Sequence, residues 1–527
     1  MKTINILRRA LVAVIGAAAL SLPVIAQDEP ITFTFAHPGP IRTMDAPVTW
    51  FGSTHWLTNL LYDCLIWRAA DGNGYVGQAA ERWENIDELT WRFYLRPNNT
   101  FQNGEVLDAE AVKWNIDRVR TRTDFMVNPQ WQFIDEVTVI DPLTLDIKTK
   151  VPYPYFEYDV SFNGCQILPP GYLQEVGEEE FARRPVGSGP YKLVEFTEND
   201  RYVFEAWDGY WAGRPEVDRV IYQVIPEQSA QVAALLAGQV DLISNVPVPD
   251  RPRLGSTDGI TLVNETGNRM HHLYLRVETN TGAVAQTFPG FEPATLEQNV
   301  RLAISHALDR ELLAEVQGAA TPALLRTCSY YPEYAASRFS DPEVVANWYD
   351  PERARQLLRE AGYDIDSGQG PTVFFDAPTF QAGNEKEVAE VIAAMLEEVG
   401  FKVELTVRDT SAFNTEIATG GNNRDIMLTT LGCAPSLIPR FYLCSWTQPN
   451  YNVCVEEWDA LGTQLLQTVD PEARLALWSE WWEFYMSYSQ TVTLYELENV
   501  MAYNSAKFEF VPRKDGWFTF RDLKVRR

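Results

Sequence analysis

The stretch Glu385–Val407, EKEVAEVIAAMLEEVGFKVELTV, sets the fold class. Val388, Val391, Ile392, Met395, Leu396 and Val399 fall at i, i+3, i+4, i+7, i+8 and i+11, one apolar face of a helix. Gly400 stops that helix, and Phe401-Lys-Val-Glu-Leu-Thr-Val407 alternates as a strand. A helix joined to a strand by so short a connection is an αβ unit, so the chain reads as α/β.

Neighbouring stretches repeat the pattern. Asp350-Pro351 opens a helix that ends at Gly362, and Asn299–Leu308 carries its apolar residues on one face. Leu273–Val277 and Val492–Leu497 read as strands, and Pro471–Tyr488 as a helix unusually rich in Trp and Tyr. The first half is richer in strands. Ile31–Phe35, Thr90–Leu95 and Val220–Ile225 alternate. Val137–Ile140 with Leu143–Ile147, and Tyr191–Phe196 with Arg201–Ala206, read as hairpins. Asp108 caps a helix to Val119, and Gln228–Leu236 is a helix that Gly238 ends.

Met1–Ala26 reads as a secretory leader. Lys2, Arg8 and Arg9 precede the apolar run Ala10–Leu22, which is short for a membrane span, and Ala26 offers a small residue before Gln27. The alternative is a retained membrane anchor. No Cys follows the run, so no lipid anchor is expected. Removing the leader takes the net charge from −28 to −31. That charge argues against nucleic acid and against an anionic membrane face. The expected location is the periplasm of a double-membraned bacterium.

Six Cys remain. Cys433, Cys444 and Cys454 cluster, and a Cys444–Cys454 bridge is the expectation; the alternative is that most are buried thiols. Catalytic signals are thin. The five His include no zinc spacing, and His271-His272 on a strand would point to opposite faces. Gly187-Ser-Gly-Pro190 lacks the Lys of a phosphate loop and reads as a tight turn. Neither a metal nor another cofactor is expected. Trp50, Trp56, Trp131 and Trp446 sit beside turn signals, where aromatics line ligand clefts or pack under loops.

Several segments together resemble the solute-binding proteins of ABC importers, family 5, the class of dipeptide, oligopeptide and nickel-binding proteins. Leu61-Tyr-Asp-Cys-Leu65 with Ala80-Glu-Arg-Trp83 resembles the opening of that family. Trp91–Pro97, Phe101-Gln-Asn-Gly104, Ala109–Val112 and Pro185-Val-Gly-Ser-Gly-Pro-Tyr191 follow in its order. Tyr210-Trp211, Leu235–Asp241, Val300–Arg310 and Ala354–Tyr363 complete it.

The resemblance implies a periplasmic-binding-protein-like fold of type II, in the large cluster C form: two lobes, a hinge and an inserted subdomain. Residues 27–268 with 490–527 would form one lobe, with the subdomain near 80–184, and 269–489 the other. It implies a monomeric receptor that closes on a small or peptide-like ligand and hands it to a permease and ATPase. The ligand site would take Trp50, His55, Trp56 and Trp131 from the first lobe and Arg276, Thr430, Arg440 and Trp446 from the second. Peptide-binding members resemble R-x-G-W-C-A-D-Y in a second-lobe loop, where the Asp pairs with the peptide ammonium. Here Thr429, Gly432 and Pro435 replace the Arg, Trp and Asp. Burying an ammonium without its carboxylate costs several kcal/mol. The expectation is therefore a modified peptide, opine or oligosaccharide, unless Asp425 or another acid takes over. Competing readings are an exported glycan hydrolase, which needs a carboxylate pair, and a sensor or chaperone on the same scaffold.

Overall fold

A computed structural model describes residues 29–526 apart from 42, 50–58, 73, 278–291, 319, 330, 380–383, 410–411, 414–423, 445–454, 511–512 and 514–517. The expected leader lies outside the described residues.

β1 (Thr32–His37) buries Phe33 and Phe35, the aromatic members of its alternating pattern. The short strands β2 (Ile66–Arg68) and β3 (Tyr75–Gly77) pair with each other. Next comes a separate antiparallel sheet of β4 (Ala80–Asn85), β5 (Thr90–Leu95), β6 (Ile134–Asp141) and β7 (Thr144–Thr149), in the order β4-β5-β7-β6. Helix Ala109–Thr121 packs on it, capped by the Asp108 carboxylate, which accepts from Ala111 N at 3.0 Å. The chain then returns with the hairpin β8 (Tyr191–Thr197) and β9 (Arg201–Ala206), β10 (Arg219–Val224) and β11 (Leu242–Ile243). β1 lies between β10 and β11 and runs parallel to both.

β12 (Ile260–Leu275) is far longer than the expected strand at 273–277. It continues the sheet into the second half, where β13 (Ala320–Pro322), β14 (Thr372–Pro378), β15 (Lys402–Arg408) and β16 (Ile426–Gly432) follow. β17 (Thr491–Asn504) is the return strand. One sheet results, in the order β15-β14-β16-β12-β17-β11-β1-β10-β9-β8, with β13 on β17. β12 and β17 belong to both halves. Residues 270–274 pair with 491–496, and residues 260–266 with 498–504, with a register break between Thr266 and Met270.

The αβ unit read from the sequence is present: helix Glu385–Glu398 buries Val388, Ile392, Met395 and Leu396 and leads into β15. Gly400 has φ 110°, a conformation that disfavours side chains. Helix Pro471–Tyr488 starts at the Asp470 cap and buries Trp478, Trp481 and Trp482; Trp481 packs on Trp458, and Trp478 on Trp481 and Trp482. At about 25 cal/mol per Å2, each such ring contributes roughly 4–6 kcal/mol of transfer free energy.

The cysteines depart from the buried-thiol reading. Cys64 is bonded to Cys165 and Cys328 to Cys433, across sequence separations of 101 and 105. Both pairings are long-range contacts that spacing could not reveal. Cys444 is also disulfide-bonded; its expected partner, Cys454, lies outside the described residues.

Candidate functional site

Three segments meet beside the strands that link the two halves: residues 153–166 of the first half, and 326–329 with Tyr331 and 433–441 of the second. The two long-range disulfides hold them. Cys165 anchors the first segment, and Cys328–Cys433 ties the other two together. Thr327 Oγ1 adds a bond to Cys433 O at 3.2 Å.

Polar contacts cross between the halves. Ser436 Oγ donates to Asp159 Oδ1 at 2.9 Å, and Arg440 Nη2 to Asp159 Oδ2 at 3.0 Å. Arg440 also donates to the Tyr153 hydroxyl and to Gln130 O. Trp478 Nε1 donates to the Tyr155 hydroxyl at 2.9 Å, and the Tyr158 and Tyr331 rings meet edge-on. The two halves are therefore in direct contact here.

Around the same segments the fold leaves polar atoms buried and unpaired. Asn163 Oδ1, Gln166 Oε1, both ring nitrogens of His272, Arg326 Nε and Nη2, and Glu496 Oε1 have no hydrogen-bond partner among the described residues. Each such atom costs about 1–3 kcal/mol, and native interiors pair the great majority of them. Others of the kind are scattered through the fold, but these lie on or beside the three segments, which makes the junction the candidate site. Burial, then the charge of Arg326, drive the His272 pKa far down, so the ring is neutral. Burial raises the Glu496 carboxyl, opposed by the bond from Ser329 N to its other oxygen at 3.0 Å.

The expected site residues divide. Arg440 is at the junction, and Trp131 is beside it, next to the Gln130 carbonyl that Arg440 contacts. The Trp131 ring is buried, with Nε1 donating to Asn163 O at 2.7 Å. A Cβ at Gly164, which has φ 85°, would meet that nitrogen at 2.6 Å, so glycine makes room for the ring. Thr430 pairs with His271, on the face where His271 meets Tyr495 and Glu385, opposite to that of His272. Arg276 bonds a residue outside the three segments. It follows the end of β12, four residues past His272 and so about 13 Å further along the chain, and its Nε donates to Arg424 O at 3.0 Å. Asp425 is likewise committed elsewhere, its carboxylate accepting from Ala294 N and Phe374 N. Trp50, His55, Trp56 and Trp446 lie outside the described residues.

The residues that sequence reading missed are Arg326, Tyr158, Asp159, Ser436 and Glu496; His272 was read only as a strand residue. One signal was available: Arg326 interrupts the apolar run Ala323-Leu-Leu and is followed at once by Thr327-Cys328.

Comparison with known proteins agrees with the architecture. Residues 74–452 match the model of the bacterial extracellular solute-binding proteins, family 5. The glutathione-binding protein GsiB of Pectobacterium atrosepticum is 26% identical over 459 residues, covering 83% of each chain. A dipeptide-binding protein from Pseudoalteromonas sp. SM9913, solved with Met-Leu, superposes with a TM-score of 0.79 at 18% identity, over 94% of this chain and all of that one. The binding protein MoaA of A. tumefaciens R10, solved with mannopinic acid, gives 0.78 at 21% identity, with the same coverage. The chain belongs to the family 5 extracellular solute-binding proteins, with the type II periplasmic-binding-protein fold. The relationship gives no support to a glycan hydrolase.

Proposed function

We propose that this solute-binding protein captures a small peptide-like solute, a peptide, modified peptide or opine, between two lobes and presents it to the permease and ATPase of an ABC importer. The lobes are taken as residues 27–268 with 490–527, and 269–489, with the subdomain near 80–184 in the first. The protein acts as a monomer, exported by its leader, cleaved near Ala26 and free of a lipid anchor.

One observation carries the reading: buried, unpaired polar atoms from both halves gather where the halves close. A solute that satisfies them stabilises the closed form over the open one by the difference in its affinity for the two, and that difference drives closure. The ligands named for the relatives, glutathione, Met-Leu and mannopinic acid, are polar and carry carboxylates, groups that can pair with such atoms. Pro435 still argues against a peptide held by its ammonium in the familiar loop, which favours a modified peptide or opine.

The test is a thermal-shift panel of these three compounds, followed by solution scattering at saturation. The expected result is a raised melting temperature and a smaller radius of gyration for at least one. If no member of the panel changes either quantity, the reading fails.

A further inference from the structure

We infer that Arg326 receives a carboxylate of the captured solute, through a side-on contact of its Nε and Nη2 edge. The inference rests on the receptor reading above and specifies the chemistry of its ligand.

Arg326 is 1% exposed, and both nitrogens of that edge are buried without a hydrogen-bond partner among the described residues. Four other buried arginines show how this chain holds a guanidinium with its own acceptors. Arg118 donates to both oxygens of Asp45, at 2.9 and 2.5 Å. Arg301 is satisfied by the carbonyls of Tyr488, Thr295 and Leu296, and Arg310 by those of Thr493 and Ser305. Arg440 has Asp159. Among the described residues no salt bridge involves Arg326, in a chain that carries 72 acids. A desolvated guanidinium without an anion is unfavourable, so its retention calls for a compensating group from outside the chain.

The geometry selects the class of anion. The guanidinium carbon lies 4.3 Å from the centre of the Phe441 ring, which accounts for one face of the group and supplies no acceptor for its edge. The Nε and Nη2 donors are spaced to match the two oxygens of one carboxylate. The same edge makes that contact within this protein: Arg92 Nε and Nη2 donate to the two oxygens of Asp146 at 2.7 and 2.8 Å. Position fits as well. Arg326 lies two residues before the disulfide-bonded Cys328, and Phe441 directly follows Arg440, which reaches Asp159 across the junction. The neighbouring His272 is neutral and does not compete for an anion.

The experiment pairs acids with their amides: reduced glutathione, Met-Leu and mannopinic acid, each against the same compound with its carboxylates amidated. Binding is measured by calorimetry to the wild-type protein, Arg326→Gln and Arg326→Lys. The expected result is at least a tenfold preference for the acid in the wild type, abolished in R326Q and partly kept in R326K, which retains the charge without the fork. An acid preference that survives R326Q, or a wild-type protein that binds acid and amide alike, overturns the Arg326 inference and leaves the receptor reading standing. A wild-type protein that binds none of the compounds overturns both. A ligand-free Arg326→Met variant gives an independent readout. Removing an unpaired buried charge is expected to hold or raise the melting temperature, whereas a lower one shows a structural role and overturns the inference.

Discussion

Asp159 and Arg440 form a buried ion pair that joins the two halves of the molecule, with Arg440 Nη2 3.0 Å from Asp159 Oδ2. Asp159 is fully engaged: Ser436 and Tyr153 hydroxyls donate to its two oxygens. Contact between the halves here is built from charge and hydrogen bonds as well as from apolar area.

Asp159→Asn should therefore favour an open form. The substitution keeps the shape and leaves the Arg440 guanidinium buried beside a neutral amide, a change that costs about 3–5 kcal/mol while the site stays closed. Opening relieves the cost by returning Arg440 to water. The ligand-free D159N protein should show a larger radius of gyration in solution scattering. Its affinity for a closing solute should drop by up to about 100- to 1000-fold. Removing both charges, in D159L/R440M, should return the scattering profile towards wild type. An unchanged radius in D159N would show that the pair does not hold the halves together.

The Cys328–Cys433 bridge predicts a linked loss of stability and affinity. It closes a sequence separation of 105 residues and fixes the segment that carries Arg326 against the loop after β16. Loop-closure entropy places the cost of its removal at about 2–5 kcal/mol. C328A/C433A should lose that stability in urea denaturation, and its ligand affinity should fall further than that of C64A/C165A. Equal affinities in the two variants would mean that the bridge is a general staple with no bearing on the site.

What the sequence made readable, and what it hid, follows from where interactions are local. The motifs behind the family resemblance prove to hold one another. Asp63 accepts from the Tyr210 hydroxyl and Trp211 Nε1, and Gln102 Nε2 donates to the carbonyls of Gly189 and Tyr191. A Cβ at Gly187 would sit 1.8 Å from Leu61 O, so the glycine reflects close backbone approach and not phosphate binding. These are scaffold contacts, and they identify the fold without naming the ligand. The junction residues lay beyond reach because their partners are remote: Asp159 and Arg440 are 281 positions apart, with no periodicity to connect them. β12 and β17 read as too short for a related reason. Thr266-Gly-Asn268 and Glu498-Asn499 break the apolar alternation where the strands pass from one half to the other.

Asp63 gives a pH test of the scaffold. It is buried, and desolvation raises its pKa from 3.8 to about 6, against hydrogen bonds from Trp211 and Tyr210 and the charge of Arg521. Because its folded-state value lies above the unfolded one, the folded protein holds the extra proton between about pH 4 and 6. Its contribution to stability is therefore present at pH 4 and is lost as pH rises through 6. The shift corresponds to about 3 kcal/mol. Asp63→Asn cannot titrate and should lack this component. Urea denaturation of both proteins at pH 4, 5, 6 and 7 measures it. Wild type should lose up to about 3 kcal/mol relative to D63N between pH 4 and pH 7. Parallel stability curves would show that Asp63 stays ionised throughout, held by its two ring donors.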